Sequence, residues 1–289
     1  MRMRHKIRVI ASLILVLSGI GMLLYPMISN WYEEAHHGKV IRTYQSDVAD
    51  MERNEIKGAR KEAEAYNTSL HELVQQQELF ISDFEQQNLT YEQLLNENAD
   101  GVMSYIEIPC IDVFLPIYHG TSERVLAKGA GHMVNTSLPV GGASTHCVIS
   151  AHRGDPSATL FSDLDQLQYG DEFYLNTLNE RLHYRVDQIK VVLPYETDDF
   201  HIVEGRDYVT LVTCTPYGIN SHRLLVRGER IEEDFQEQSA AAAVDGRLWS
   251  FNYTAYGLFI LLTFSVGTAV GIYCLLKKYK RAKHEKNKS

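Results

Sequence analysis

Two uncharged apolar runs, residues 9–28 and 251–276, bracket the chain. Each is about the length that crosses a bilayer core as a helix. Between 39 and 92 the pattern turns polar and helix-prone, with no proline, and its sparse apolar residues Leu70, Leu73 and Val74 recur at i, i+3 and i+4. This predicts one or two surface helices that dock by a narrow apolar stripe. A long stalk or coiled coil is the competing reading, but no sustained heptad supports it. From Gly101 onward short β-type runs follow one another at 103–108, 113–118, 146–152, 171–175, 181–193, 208–214 and 224–231, with Gly, Pro and Asn between them. In the run from 181, Leu182, Tyr184 and Val186 alternate, then the pattern slips to Ile189 and Val191, which predicts a bulge. One short helix is expected over 158–167, with Leu160, Leu164 and Leu167 on one side. Many short strands at close spacing indicate a closed barrel or sandwich. About 130 residues suffice for one good core.

Charge supports an external placement for this middle part. Arg2, Arg4, Lys6 and Arg8 precede the first apolar run, and seven lysines and arginines follow the second. The positive-inside rule therefore places both tails in the cytoplasm and everything between them outside. A cleaved signal peptide is the alternative for the first run, but no small-x-small site follows it, so a kept anchor is expected. The second run could instead be a buried core helix, against which its basic flank argues. The chain carries a net charge of −9, and its tails contribute +4 and +6, leaving −19 between them. Such an acidic region argues against binding nucleic acid or an anionic membrane surface. Residues 233–250 read as a polar linker.

Cys110, Cys147, Cys214 and Cys274 are far from any CxxC metal pattern and too few for a disulfide scaffold. Cys274 lies in the second apolar run. Cys110 and Cys147 are expected as buried thiols, with a bridge between them as the alternative. Cys214 differs, because it ends the β-type run TLVTC at 210–214. Pro216 and Gly218 break the chain after it, and Arg223 opens the next run. A thiol delivered to a strand end with a cation nearby is arranged for chemistry more than for packing. A cysteine enzyme also needs a proton carrier and a group for the charge that develops on the attacked carbonyl. His152, at the end of the run 146–152, and Arg223 are candidates. Singly, each has a bland reading: a packed thiol, a surface histidine, a solvated edge charge. His119, His132, His146 and His222 are read as structural or rim residues. No two of these four have the i, i+4 ligand spacing of a helical metal site, so neither a metal nor a cofactor is expected.

The words around these three residues are specific. TLVTC at 210–214 matches the Thr-Leu-x-Thr-Cys signature of the sortases, with Arg223 in the expected place, and AHRG at 151–154 resembles the sortase histidine segment. Further segments resemble the class C, pilin-assembling branch: LPIYHGT at 115–121, TSLPVGG at 136–142 and TCTPYGIN at 213–220. The resemblance covers roughly residues 101–230. It implies an eight-stranded β-barrel with short helices over 99–232, preceded by a cytoplasmic tail (1–8), a transmembrane anchor (9–29) and a helical segment (30–98). The linker (233–250), a second transmembrane helix (251–276) and a basic cytoplasmic tail (277–289) follow. It implies a transpeptidase in which Cys214 attacks the threonine carbonyl of a Leu-Pro-x-Thr-Gly-type sorting signal on a pilin or surface protein. A lysine amine of another pilin then resolves the thioacyl enzyme as an isopeptide. His152 would carry the proton, Arg223 would bind the substrate backbone or oxyanion, and Thr213 would help fix the loop. Two rivals differ in kind: a sortase that anchors proteins to cell-wall peptide, and a non-catalytic membrane scaffold or sensor.

The family pattern is broken at one place. Class C sortases typically carry a lid built on Asp-Pro-aromatic, expected here between about 80 and 91, where Asp83 and Phe84 stand without the proline that would pre-set the turn. A weakened lid is therefore expected, with Phe84 as the plug. Phe84→Ala should change thiol labelling of Cys214 only slightly, and a large rise in labelling rate would reveal a working lid.

Overall fold

The computed structural model describes residues 2–76 and 91–231. Two long helices, α1 (Arg2–Asp50) and α2 (Arg53–Gln76), lead into eight strands. These are β1 (Val102–Ile108), β2 (Val113–His119), β3 (Ala130–His132), β4 (Thr145–Ser150), β5 (Glu172–Thr177), β6 (Glu180–Val192), β7 (Asp207–Thr215) and β8 (His222–Arg230), with a single-turn helix α3 (Glu123–Leu126) between β2 and β3. The strands close a barrel in the order β1-β2-β3-β4-β7-β8-β6-β5. β2–β3 and β4–β7 pair in parallel. The hydrophobic alternation is explained by closure: one face of each strand fills the interior, where Ile106, Ile149, Phe173, Leu175, Val209, Leu211 and Val226 are wholly buried.

β1 breaks that alternation, because every residue in it except Glu107 is buried. The reason is the helical layer. α1 lays Ile41, Tyr44 and Val48, and α2 lays Ala63 and Asn67, against the barrel. Burial of such apolar side chains contributes about 1.5–3 kcal/mol each for the larger ones. Polar contacts set the position. The Tyr44 hydroxyl donates to the Met103 carbonyl at 3.1 Å and accepts from the Leu178 amide at 2.7 Å. The Asn67 amide donates to the Leu138 carbonyl at 3.2 Å and accepts from its N–H at 2.7 Å. The expected docking helices are present. The first is continuous with the apolar run. Among the described residues α1 is the one helix long and apolar enough to cross a membrane, with a mean hydropathy of 1.9 over its most apolar window. The second apolar run and its linker lie outside the described residues.

Three further differences have local causes. β3 was not expected as a strand, because it is three residues long and contains Gly131. A Cβ at Gly131 would lie 2.3 Å from the Gly120 carbonyl oxygen, so only glycine allows that approach. The helix expected over 158–167 reduces to one 3-10 turn, Leu164–Gln166. Leu160 has φ of 44°, outside the helical region, while Leu160, Phe161, Leu164 and Leu167 are all buried. Burial, not a helical period, set that spacing. Cys110 is exposed where a buried thiol was expected, and Cys110, Cys147 and Cys214 are all free. The predicted bulge is present as a register shift between Val186 and Gln188.

Candidate active site

Three neighbouring strands bring the candidate residues to one end of the barrel. β7 lies between β4 and β8. Its parallel pairing with β4 aligns Ser150 with Val212, and the Ala151 amide continues the ladder to the Val212 carbonyl at 3.2 Å. His152 leaves β4 one residue later, beside the end of β7. On the other side the antiparallel register sets Cys214 directly opposite Arg223. Directly opposed residues in an antiparallel pair have Cα atoms roughly 4.5–5.5 Å apart. The nucleophile candidate, the cation and the histidine are therefore placed by backbone hydrogen bonds before any side chain contributes.

Thr213 pins the arrangement. Its hydroxyl is buried and donates to the Ala151 carbonyl at 2.8 Å, fixing the residue before His152 to the residue before Cys214. Thr213 points inward and is 1% exposed, whereas Cys214 is half-buried at the barrel end. The loop from β7 to β8 closes with the Ile219 and Asn220 amides both donating to the Pro216 carbonyl, at 3.1 and 2.9 Å, and leaves Tyr217 and Ile219 exposed. Arg223 is held from below: its Nη1 donates to the carbonyls of Asn220 at 3.2 Å and His222 at 3.1 Å. His152 Nε2 lies 3.3 Å from the Glu123 carboxylate on α3. Glu123 is 88% exposed, so water screens this pair and it is worth little as a stabilising ion pair. Glu123 could not have been singled out from the sequence, since only closure of β2, β3 and β4 brings α3 beside His152. Asp83 and Phe84 lie outside the described residues.

The other histidines have separate lives. His132 and His146 are buried away from the thiol. His132 Nε2 donates to the Ser137 carbonyl at 2.9 Å, so its Nδ1 accepts from the Tyr91 hydroxyl at 2.8 Å. His146 Nδ1 donates to the His201 carbonyl at 2.9 Å, and its Nε2 accepts from the Thr210 hydroxyl at 2.7 Å. Both rings are thus satisfied as neutral imidazoles, and burial pushes each from the ordinary 6.5 to about 4. His119 bonds the Gly101 and Leu94 carbonyls. His222 sits beside the Ser221 hydroxyl at 2.8 Å, at the foot of β8 and opposite Thr215.

Residues 106–231 match the sortase domain family. The chain is 46% identical to the crystal structure of sortase C1 from Streptococcus agalactiae, with a TM-score of 0.63, over 68% of this chain and 100% of that one. It is 42% identical to sortase C from Clostridium perfringens, solved with the C-terminal cell wall sorting motif, with a TM-score of 0.57 over 68% and 99% of the two chains. Sortase A from Bacillus anthracis is 30% identical over 132 residues, which are 45% of this chain and 60% of that protein.

The buried imidazoles of His132 and His146 carry a pH signature. Between pH 6.5 and 4 the unfolded chain binds protons at these rings that the folded chain refuses. Stability therefore falls as pH drops through that window, by up to about 1.4 kcal/mol per pH unit for each ring. His132→Gln should lower the thermal midpoint of the full-length protein at pH 7 but flatten its decline between pH 6.5 and 4. Parallel declines in variant and wild type would contradict a neutral buried His132.

Proposed function

The chain belongs to the class C branch of the sortase family, whose members are cysteine transpeptidases, and from that premise we propose that it joins pilin subunits through a thioacyl enzyme on Cys214. The observation that carries this reading is the register that sets Cys214 opposite Arg223 while β4 delivers His152 alongside. The substrate is a protein ending in a Leu-Pro-x-Thr-Gly-type sorting signal. Support for a sorting-signal substrate comes from the C. perfringens relative, solved with the C-terminal cell wall sorting motif.

The chemistry divides into two acyl transfers. The Cys214 sulfur, as thiolate, attacks the threonine carbonyl carbon, and the negative charge moves to the carbonyl oxygen. Arg223 has five N–H donors, of which the loop carbonyls engage only Nη1, so Nε and Nη2 can meet that oxygen. The C–N bond to glycine then breaks, and protonated His152 gives its proton to the departing amine, leaving a thioester. In the second half a lysine amine attacks the thioester carbon and passes a proton to His152. The C–S bond breaks, and the isopeptide leaves with Cys214 restored as thiolate. Thr213 keeps the two halves in line by fixing Ala151 to β7. The apolar part of α1 serves as the membrane anchor. With the second apolar run as a further span, both termini are cytoplasmic and the barrel faces outward, where pilins pass.

Incubating the full-length protein in detergent with a sorting-signal peptide and two amines, a lysine side chain and a cell-wall-type amino terminus, tests this reading. The expected product is the isopeptide on lysine. His152→Ala should lose about 100-fold or more of the rate, whereas His222→Ala should keep most of it. Product only on the amino terminus would favour cell-wall anchoring. Equal losses at both histidines would reassign the proton carrier, and no cleavage at all would favour a scaffold.

A further inference from the structure

We propose that Arg153 is a positioning residue for Cys214: a buried cation that fixes the spacing between the histidine turn and the thiol strand and favours the thiolate. Arg153 follows His152 directly, yet its side chain is only 7% exposed. Its Nη1 donates to the Thr215 hydroxyl at 3.2 Å, and Thr215 follows Cys214. Its Nη2 pairs with Asp165 on the 3-10 turn Leu164–Gln166. Its guanidinium carbon lies 5.9 Å from the ring centre of Tyr217 on the β7–β8 loop. One side chain thus ties together the histidine turn, the end of β7, the loop beyond the thiol and the following turn.

The energetics point to use rather than packing. Burying a guanidinium is costly unless its charge is paired and its donors are bonded. Here the pairing is incomplete, since Nε is buried with no hydrogen-bond partner. An apolar residue of similar volume would escape both costs. Asp165 offsets that charge only in part, because it is 49% exposed and more strongly screened by water than the guanidinium. The remaining positive charge sits at the Thr215 hydroxyl, on the residue that follows Cys214 in β7. A cation so placed lowers the proton affinity of a cysteine. Other charged or titratable groups lie on the elements around Cys214, with Arg223 directly opposite it and His222 opposite its neighbour Thr215. They are Arg223 and His222 on β8, His152 at the end of β4, Asp155 in the turn after it, Tyr217 on the loop, and Glu123 behind His152.

The inference rests on Cys214 being the nucleophile, and its test reads the thiol without substrate. The pH profile of iodoacetamide alkylation at Cys214 is followed by mass spectrometry in the full-length protein, alongside kcat and KM for a sorting-signal peptide. Arg153→Met should raise the alkylation midpoint by about half to one pH unit, and Asp165→Asn should lower it. Arg153→Lys should keep the midpoint near that of the wild type while kcat falls and KM holds, because an ammonium keeps the charge but not the fork. Midpoints unmoved in both Arg153→Met and Asp165→Asn, or moved in the same direction, would reduce Arg153 to a packing residue. An Arg153→Lys midpoint that shifts like that of Arg153→Met would also overturn the charge role. If Arg153→Met fails to fold, Asp165→Asn and Arg153→Lys still decide. A normal alkylation profile with no peptide turnover in the wild type would instead count against the proposed function.

Discussion

The site depends on the register of β7 between a parallel neighbour and an antiparallel one. Side chains on a strand alternate with period two, so a slip of one residue would exchange the buried Thr213 for Cys214 and turn the thiol into the core. The backbone ladder to β4 and the ladder to β8 resist that slip from both sides. The Thr213 hydroxyl on the Ala151 carbonyl adds a side-chain pin at the point where the ladder to β4 ends. Cys214, Arg223 and the departure point of His152 follow from that register.

The helical layer completes the arrangement. α1 runs without a break from its apolar part to the barrel wall, and the Tyr44 hydroxyl bonds it to β1 and to the turn after β5. Nearer the apolar run, the Asn30 side-chain oxygen accepts from the Thr159 amide and hydroxyl at 2.9 and 2.8 Å, in the segment that follows the histidine turn. Whatever orients α1 therefore also orients the loop beyond His152.

Much of the fold was legible because barrel strands alternate and because turns carry glycine, proline and asparagine. The bulge in β6 was visible as a slip in that alternation. β3 was illegible, since three residues around Gly131 make no periodic signal and the strand exists only through a close approach to Gly120. The false helix at 158–167 came from apolar residues at helical spacing that the core collects along an irregular path. In the candidate site, the placement of Cys214 opposite Arg223 was legible, since one hairpin carries both. The placement of His152 near them needed the family resemblance, because a parallel pairing joins distant segments. Glu123 and the contacts of Arg153 had no sequence signal, since both arise from tertiary closure. Cys110, exposed and unpaired, is the thiol whose environment composition alone misjudged.

Because Cys110 is also exposed, the acylated thiol must be located directly. Full-length protein is mixed with a sorting-signal peptide, quenched in acid, digested and sequenced by tandem mass spectrometry to locate the acyl group. An acyl thioester on Cys214 is expected, absent in Cys214→Ala and unaffected in Cys110→Ala. Acylation on Cys110 or Cys147, or peptide turnover that survives Cys214→Ala, would contradict it.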